Sequence, residues 1–178
     1  MTAVAVSIPF VRNHDPVYGR SVQVSPLIRR VTANNPGPFT YLGTGTYIVG
    51  RGEVAVVDPG PDDDAHLGAL LAALDGERVT AIVITHSHAD HSPLARPLQA
   101  RTGGVIYGLA AAEAHAPLEG PQLDDDEDLV FRPDVAVTDG RRIAGPGWTL
   151  EALLTPGHAS NHVCYALTEE NALFSGDH

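Results

Sequence analysis

The chain has a single cysteine, half as many cationic as anionic side chains, and no long apolar run. One thiol, Cys164, excludes an internal disulfide framework and any zinc site built from cysteines. Its apolar-leaning surroundings, Val163, Tyr165, Ala166 and Leu167, predict a buried structural thiol. Nothing approaches the roughly 18 to 20 continuous apolar residues of a membrane span, so no membrane partner is expected. Arg and Lys total 11 against 22 Asp and Glu, a formal charge of −11 with neutral histidine. That balance disfavours nonspecific binding to nucleic acid or acidic membranes over the whole surface, and sequence-specific DNA binding is not expected. No basic residue precedes Arg12 and no small-residue cleavage site follows the first ten residues, which predicts a cytoplasmic location.

What is present suits one soluble domain with a real core: 178 residues, 43% apolar and 19% charged. Residues 1–21, with Pro9, Pro16 and Gly19, lack periodicity and read as an irregular arm, and residues 22–178 as one domain. His14 in that arm is expected to be solvated. Val22, Val24 and residues 27–31 suggest a first strand, closed by the turn residues Asn34-Asn35-Pro36-Gly37-Pro38. Residues 47–50 and 53–58 flank Arg51-Gly52 as a hairpin. Leu67, Leu70, Leu71 and Leu74 have helical spacing after Asp62, Asp63 and Asp64, which are expected to cap that helix rather than bind metal. His66 within it is expected at the surface.

Residues 79–85 form a β-rich run, so strand, helix and strand predict a βαβ unit with parallel pairing. A helix is expected from Ser92 to Arg101, made irregular early by Pro97, then a strand over 104–107. A helix over 110–116 would place His115 near its carboxyl end, and the acidic run 124–128 reads as a solvated loop. Strands are expected over 135–138, 149–155, 162–167 and 172–175.

The residues that carry chemistry sit at the ends of these strands. HSHADH at residues 86–91 packs three imidazoles and a carboxylate into six positions, and histidine is the commonest metal ligand at neutral pH. Asp58, His158 in TPGH and Asp177 in SGD each follow another apolar run. In open α/β sheets, chemistry gathers beyond the carboxyl ends of strands, which puts Asp58 and the cluster beginning at His86 on one rim.

In order, HSHADH, the DPG at 58–60, TPGH and SGD resemble the motifs of the metallo-β-lactamase superfamily. NNPGPFTYLGTGTYIV, TPGHASNH and FSGDH look most like its branch containing the β-lactamase-like protein 2 endoribonucleases. The resemblance implies an α/β fold, a four-layer αββα sandwich. It also implies a hydrolase with two zinc ions that uses a metal-bound hydroxide. By motif position, His86, His88 and His158 would bind one zinc, Asp90 and His91 a second, and Asp177 would bridge them. Three imidazoles leave a zinc an open position for water, the arrangement of a catalytic site. Asp90 would also orient that water or accept its proton. Asp58 would orient the histidine loop, while His162 would support a ligand or face substrate. His178 matches a variable position and is not assigned.

The family pattern places a last histidine for the second zinc beyond residue 178. A truncated second half, an exposed apolar sheet face and self-association are therefore expected, with a remnant lacking turnover as the competing class. The branch resemblance favours single-stranded RNA phosphodiesters, against which the acidic balance weighs. The alternative is a small-molecule thioester, as in glyoxalase II-like relatives. A β-lactam is disfavoured by the expected location, and a di-iron redox role by histidine at position 88.

Overall fold

The computed structural model describes residues 15–110 and 128–178. The expectations for His14, for His115, for the helix over 110–116 beyond its first residue and for the acids 124–127 lie outside the described residues.

Alternating β-branched residues build a first sheet of seven strands in sequence order. These are β1 (Ser21–Gln23), β2 (Ile28–Thr32), β3 (Gly45–Arg51), β4 (Glu53–Val57), β5 (Arg78–Val83), β6 (Val105–Gly108) and β7 (Val135–Ala136). Neighbours from β1 to β4 pair antiparallel, and those from β4 to β7 pair parallel. The first two parallel crossovers are made by α1 (Asp64–Ala73) and α2 (Ala95–Thr102). The Asp63 carboxylate accepts from the Ala65 N–H, so one of the three early acids caps α1. A second sheet is antiparallel throughout, in the order β11 (Ala172–Phe174), β10 (Val163–Leu167), β9 (Trp148–Leu154), β8 (Arg142–Gly145).

Strand alternation assigns the two core layers. Ile48, Val54, Val56 and Ile82 face Leu67, Leu70 and Leu98 of the helices. Val49, Ala55, Val57 and Val83, on the opposite face of the sheet, meet Trp148, Leu150, Tyr165 and Phe174 of the second sheet. The described residues thus form three of the four expected layers, helices, sheet and sheet. The outer face of the second sheet is mixed rather than apolar, because the Arg142–Glu151 ion pair lies in one cross-strand row with Ala166 and the exposed Leu173.

Two local expectations need correction, and one strand was not anticipated. The single strand over 22–31 is a hairpin, because the chain turns at Ser25-Pro26, where Ile28 N–H donates to Ser25 O and Val24 N–H to Ile28 O. Pro97 does not disturb α2: it is the third helical residue, where an N–H would lack an intrahelical acceptor anyway. The strand β8 was masked in the sequence by Gly140 and Pro146-Gly147, which supply the tight turn pairing Gly145 with Trp148.

Trp148 pins the two sheets together. Its indole N–H donates to Glu53 O at 2.9 Å, and its ring lies against Gly50, where a Cβ would come within 2.4 Å of the ring. Gly50 also holds φ at +96°, a conformation that L side chains rarely adopt. Gly50→Ala should therefore cost about 2–4 kcal/mol from overpacking and backbone strain together, read as a lower urea midpoint. An unchanged midpoint would show that Trp148 yields freely.

Candidate metal centre

Four strand ends deliver the site. Asp58 follows β4, the segment from Thr85 to His91 follows β5, His158 follows β9, and Asp177 follows β11. The two sheets are locked together here by one main-chain and one side-chain bond: Val163 N–H donates to Thr85 O at 2.7 Å, and the Tyr165 hydroxyl to Ile84 O at 3.1 Å. Gly176 allows the last approach, since a Cβ there would lie 2.7 Å from His162 Nε2 and 2.8 Å from Thr85 Oγ1.

Asp58 organises the histidine loop. It adopts a left-handed φ of 48°, unusual for a residue other than glycine, and is buried. Its Oδ1 accepts from Thr85 N–H at 2.8 Å, and its Oδ2 is reached by Thr85 Oγ1 at 2.8 Å and His91 Nδ1 at 3.0 Å. A buried carboxylate with several donors is well compensated, and its contact with His91 Nδ1 turns Nε2 toward the cluster.

There, His86, His88 and His158 bring one nitrogen each within 4.8 Å of the others, and His86, His91 and Asp177 form a second such group. His86 thus belongs to both groups. The separations suit a metal. His86 Nε2 to His88 Nδ1 is 3.0 Å and His88 Nδ1 to His158 Nε2 is 3.1 Å, against edges of about 3.3 Å in a tetrahedral zinc site. Asp177 faces both sides, with Oδ1 3.4 Å from His91 Nε2 and Oδ2 3.6 Å from His158 Nε2. His91 Nε2 also lies 3.3 Å from Asp90 Oδ2.

Electrostatics keep His86, Asp90 and Asp177 in their ligating forms. Burial, then the neighbouring imidazoles, drive His86 well below the usual histidine range, so it is neutral. Burial alone would raise Asp90, but the hydrogen bond and charge of His91 and the Thr44 hydroxyl hold its carboxyl down at about 2. Asp177 is lowered chiefly by its hydrogen bond from His91. Burial would lower His91, yet Asp58, Asp177 and Asp90 raise it. Protonation of His91 and metal binding at its Nε2 would therefore compete.

Of the supporting residues, His162 is buried beside the cluster, its ring centre 5.1 Å from that of His86. Its Nδ1 lies 2.9 Å from Thr155 Oγ1, its buried Nε2 has no hydrogen-bond partner, and burial lowers it to about 4. His178 belongs to neither ligand group. His66 is corrected from the surface to the interior: it is 3% exposed, with Nε2 2.9 Å from Thr46 Oγ1. Asp128 is not a solvated acid either; its N–H donates to Ser87 O and its carboxylate accepts from Ser92 Oγ. Cys164 is buried, as expected.

Several residues here give no signal in the sequence. Asn161 Nδ2 donates to Ser87 Oγ and to Leu109 O, both at 2.9 Å, and so ties the His158 loop to the histidine cluster. Thr44 Oγ1 reaches Asp90 Oδ2 at 2.6 Å. Phe39, 80% exposed, shares a cavity of about 270 Å³ with His88, Asp90, His158 and Asp177. A second cavity, of about 410 Å³, runs from Asp90, His91 and Asp177 past Tyr47 to Phe174. If Asp58 orients His91 for a metal, Asp58→Asn should lower zinc affinity about 10- to 100-fold in a chelator competition titration. Affinity equal to wild type would refute that role.

Comparison with known proteins agrees with this geometry. A sequence model of the metallo-β-lactamase superfamily matches residues 41–178. The chain is 34% identical over 163 residues to the lactamase-like protein adaB of Aspergillus niger, covering 87% of this chain and 45% of that protein. It is 37% identical to an atrochrysone carboxyl ACP thioesterase of Aspergillus chevalieri (87% and 46% covered) and 36% identical to a β-lactamase-like protein 2 homolog of Caenorhabditis elegans (87% and 50%). The chain therefore spans about half the length of these curated relatives. Among solved structures, a metallo-β-lactamase of Cronobacter sakazakii superposes with a TM-score of 0.64 at 20% identity, over 86% of this chain and 62% of that one. With its strand-end histidines, its paired sheets and these matches, the chain belongs to the metallo-β-lactamase superfamily.

Proposed function

We propose that this protein is a zinc-dependent hydrolase whose substrate is a thioester. The observation that carries the substrate class is the lining of the two cavities that contain the candidate ligands. Among the described residues, neither holds an Arg or a Lys. Arg30 lines a separate cavity of about 200 Å³ that contains none of those ligands. A polyanionic RNA strand calls for cations along its path, whereas a neutral acyl carbonyl does not. Phe39, Tyr47 and Phe174 instead offer apolar surface for an acyl chain. The thioesterase relative supports the same class.

In this reading His86, His88 and His158 would hold the first ion, Asp90 and His91 would contribute to the second, and Asp177 would serve both. The donor set of imidazoles and carboxylates, without thiolates, fits zinc. Zinc bound there would supply Lewis acidity and bring the pKa of a coordinated water near neutrality. The chain's residues do the rest. Asp58 holds His91 in its tautomer, with Nδ1 engaged and Nε2 presented to the cluster. Asp90, ionised and held from one side by Thr44, accepts a proton from the attacking water. His162, a neutral imidazole beside His86, packs the base of the site. Cytoplasmic location accompanies this reading.

The second reading is an RNA endonuclease, favoured by the likeness to the β-lactamase-like protein 2 homolog. The full-length protein, loaded with zinc, should release thiol from an acyl-pantetheine thioester and leave single-stranded RNA intact. His86→Ala and His158→Ala should each lower that rate about 100-fold or more. RNA cleavage that depends on His86, without thiol release, would reverse the two readings.

A further inference from the structure

We infer that Thr44, set by Asn35, is a positioning residue for Asp90, fixing that carboxylate on the side of the cluster where it meets His91. The inference rests on the two-ion reading above and adds two residues to it. Three hydrogen bonds fix the direction of each donor. Thr44 N–H donates to Asn35 Oδ1 at 2.9 Å, which fixes the orientation of the amide, since the flipped form would set an NH₂ against an N–H. Asn35 Nδ2 then faces Thr44 Oγ1 at 3.1 Å and can only donate to it. The threonine proton must point elsewhere, and Asp90 Oδ2 lies 2.6 Å away as its acceptor. The amide thus dictates which way the hydroxyl points, and the hydroxyl dictates where the carboxylate sits.

Two further observations fit this role. Thr44 is 7% exposed, so water competes little for its proton. The same pair also closes the base of the loop that carries Phe39: Ala33 N–H donates to Thr44 O at 2.9 Å, Thr40 Oγ1 to Asn35 O, and Gly37 N–H to Tyr41 O at 3.2 Å. The loop beside the cluster and the carboxylate within it are therefore held in register by one clamp. A hydrogen-bonded partner of a metal ligand of this kind is commonly worth 10- to 100-fold in metal affinity.

Three variants of the full-length protein separate this role from simple loop closure. Thr44→Val keeps the shape and the backbone bond to Asn35 but removes the hydroxyl. Asn35→Asp still accepts from the Thr44 N–H, yet it draws the hydroxyl proton away from Asp90. Thr44→Ser restores the hydroxyl. Stepwise zinc titration against a chromophoric chelator should show the second ion weakened about 10- to 100-fold in the first two variants, with the first ion unchanged, and Thr44→Ser within about threefold of wild type. Thermal melting of the metal-free proteins reports folding, and if Thr44→Val does not fold, Asn35→Asp and Thr44→Ser carry the comparison. Equal weakening of both ions, wild-type binding by the first two variants, or failure of serine to restore binding would overturn the assignment. A wild type that takes up fewer than two ions would instead sink the two-ion reading itself.

Discussion

The Asp58 carboxylate is the contact on which the rest of the centre depends. It receives the main chain and the hydroxyl of Thr85 and one nitrogen of His91, and so fixes both ends of the segment that carries the histidines. A side chain buried this deeply with an anionic group is tolerable only when donors surround it. The strained φ of Asp58 is consistent with that bargain: the surrounding bonds over-determine a backbone conformation that would not persist alone. Fixing His91 then draws Asp90 and Asp177 toward its other nitrogen, and the cluster closes on itself.

The fold was legible because it is written in short-range patterns. β-Branched runs over 45–57 and 78–83 alternate or stay apolar according to whether one or both faces are covered, and the leucine spacing of α1 gives its buried side. The motif residues were legible for a related reason, since His86, His88 and His91 share one loop and each remaining station follows a recognisable strand. What failed were features set by partners far away in the chain. His66 looks like an exposed helical residue until Thr46, twenty positions earlier, is placed against it. Asp128 looks like part of an acidic loop until Ser87 and Ser92 claim it.

Thr44, Asn35 and Asn161 belong to the same class. None is a metal ligand by type, and their spacing to the cluster residues they serve has no periodicity that a sequence could display. Thr44 lies 46 positions from Asp90, and Asn161 lies 74 from Ser87. Pairing within the first sheet brings Thr44 to Asp90, and docking of the second sheet brings Asn161 to Ser87. The substrate side is harder still, because side chains that border the candidate site, such as Phe39, are exposed and few packing contacts betray them.

The main-chain bond from Val163 to Thr85, with the Tyr165 hydroxyl on Ile84, bears on how the molecule is made as well as on how it works. It joins segments about eighty residues apart, and closing so long a loop is slow compared with forming hairpins or helices. The first sheet and its helices have mostly local connections and are poised to assemble early. The ligands from the second sheet arrive only when it docks. An ion that needs His86 and His158 together therefore recognises the docked state alone, and its binding energy is added to folding by mass action. With the centre loaded as proposed, metal supply would bias how stably the two sheets stay docked.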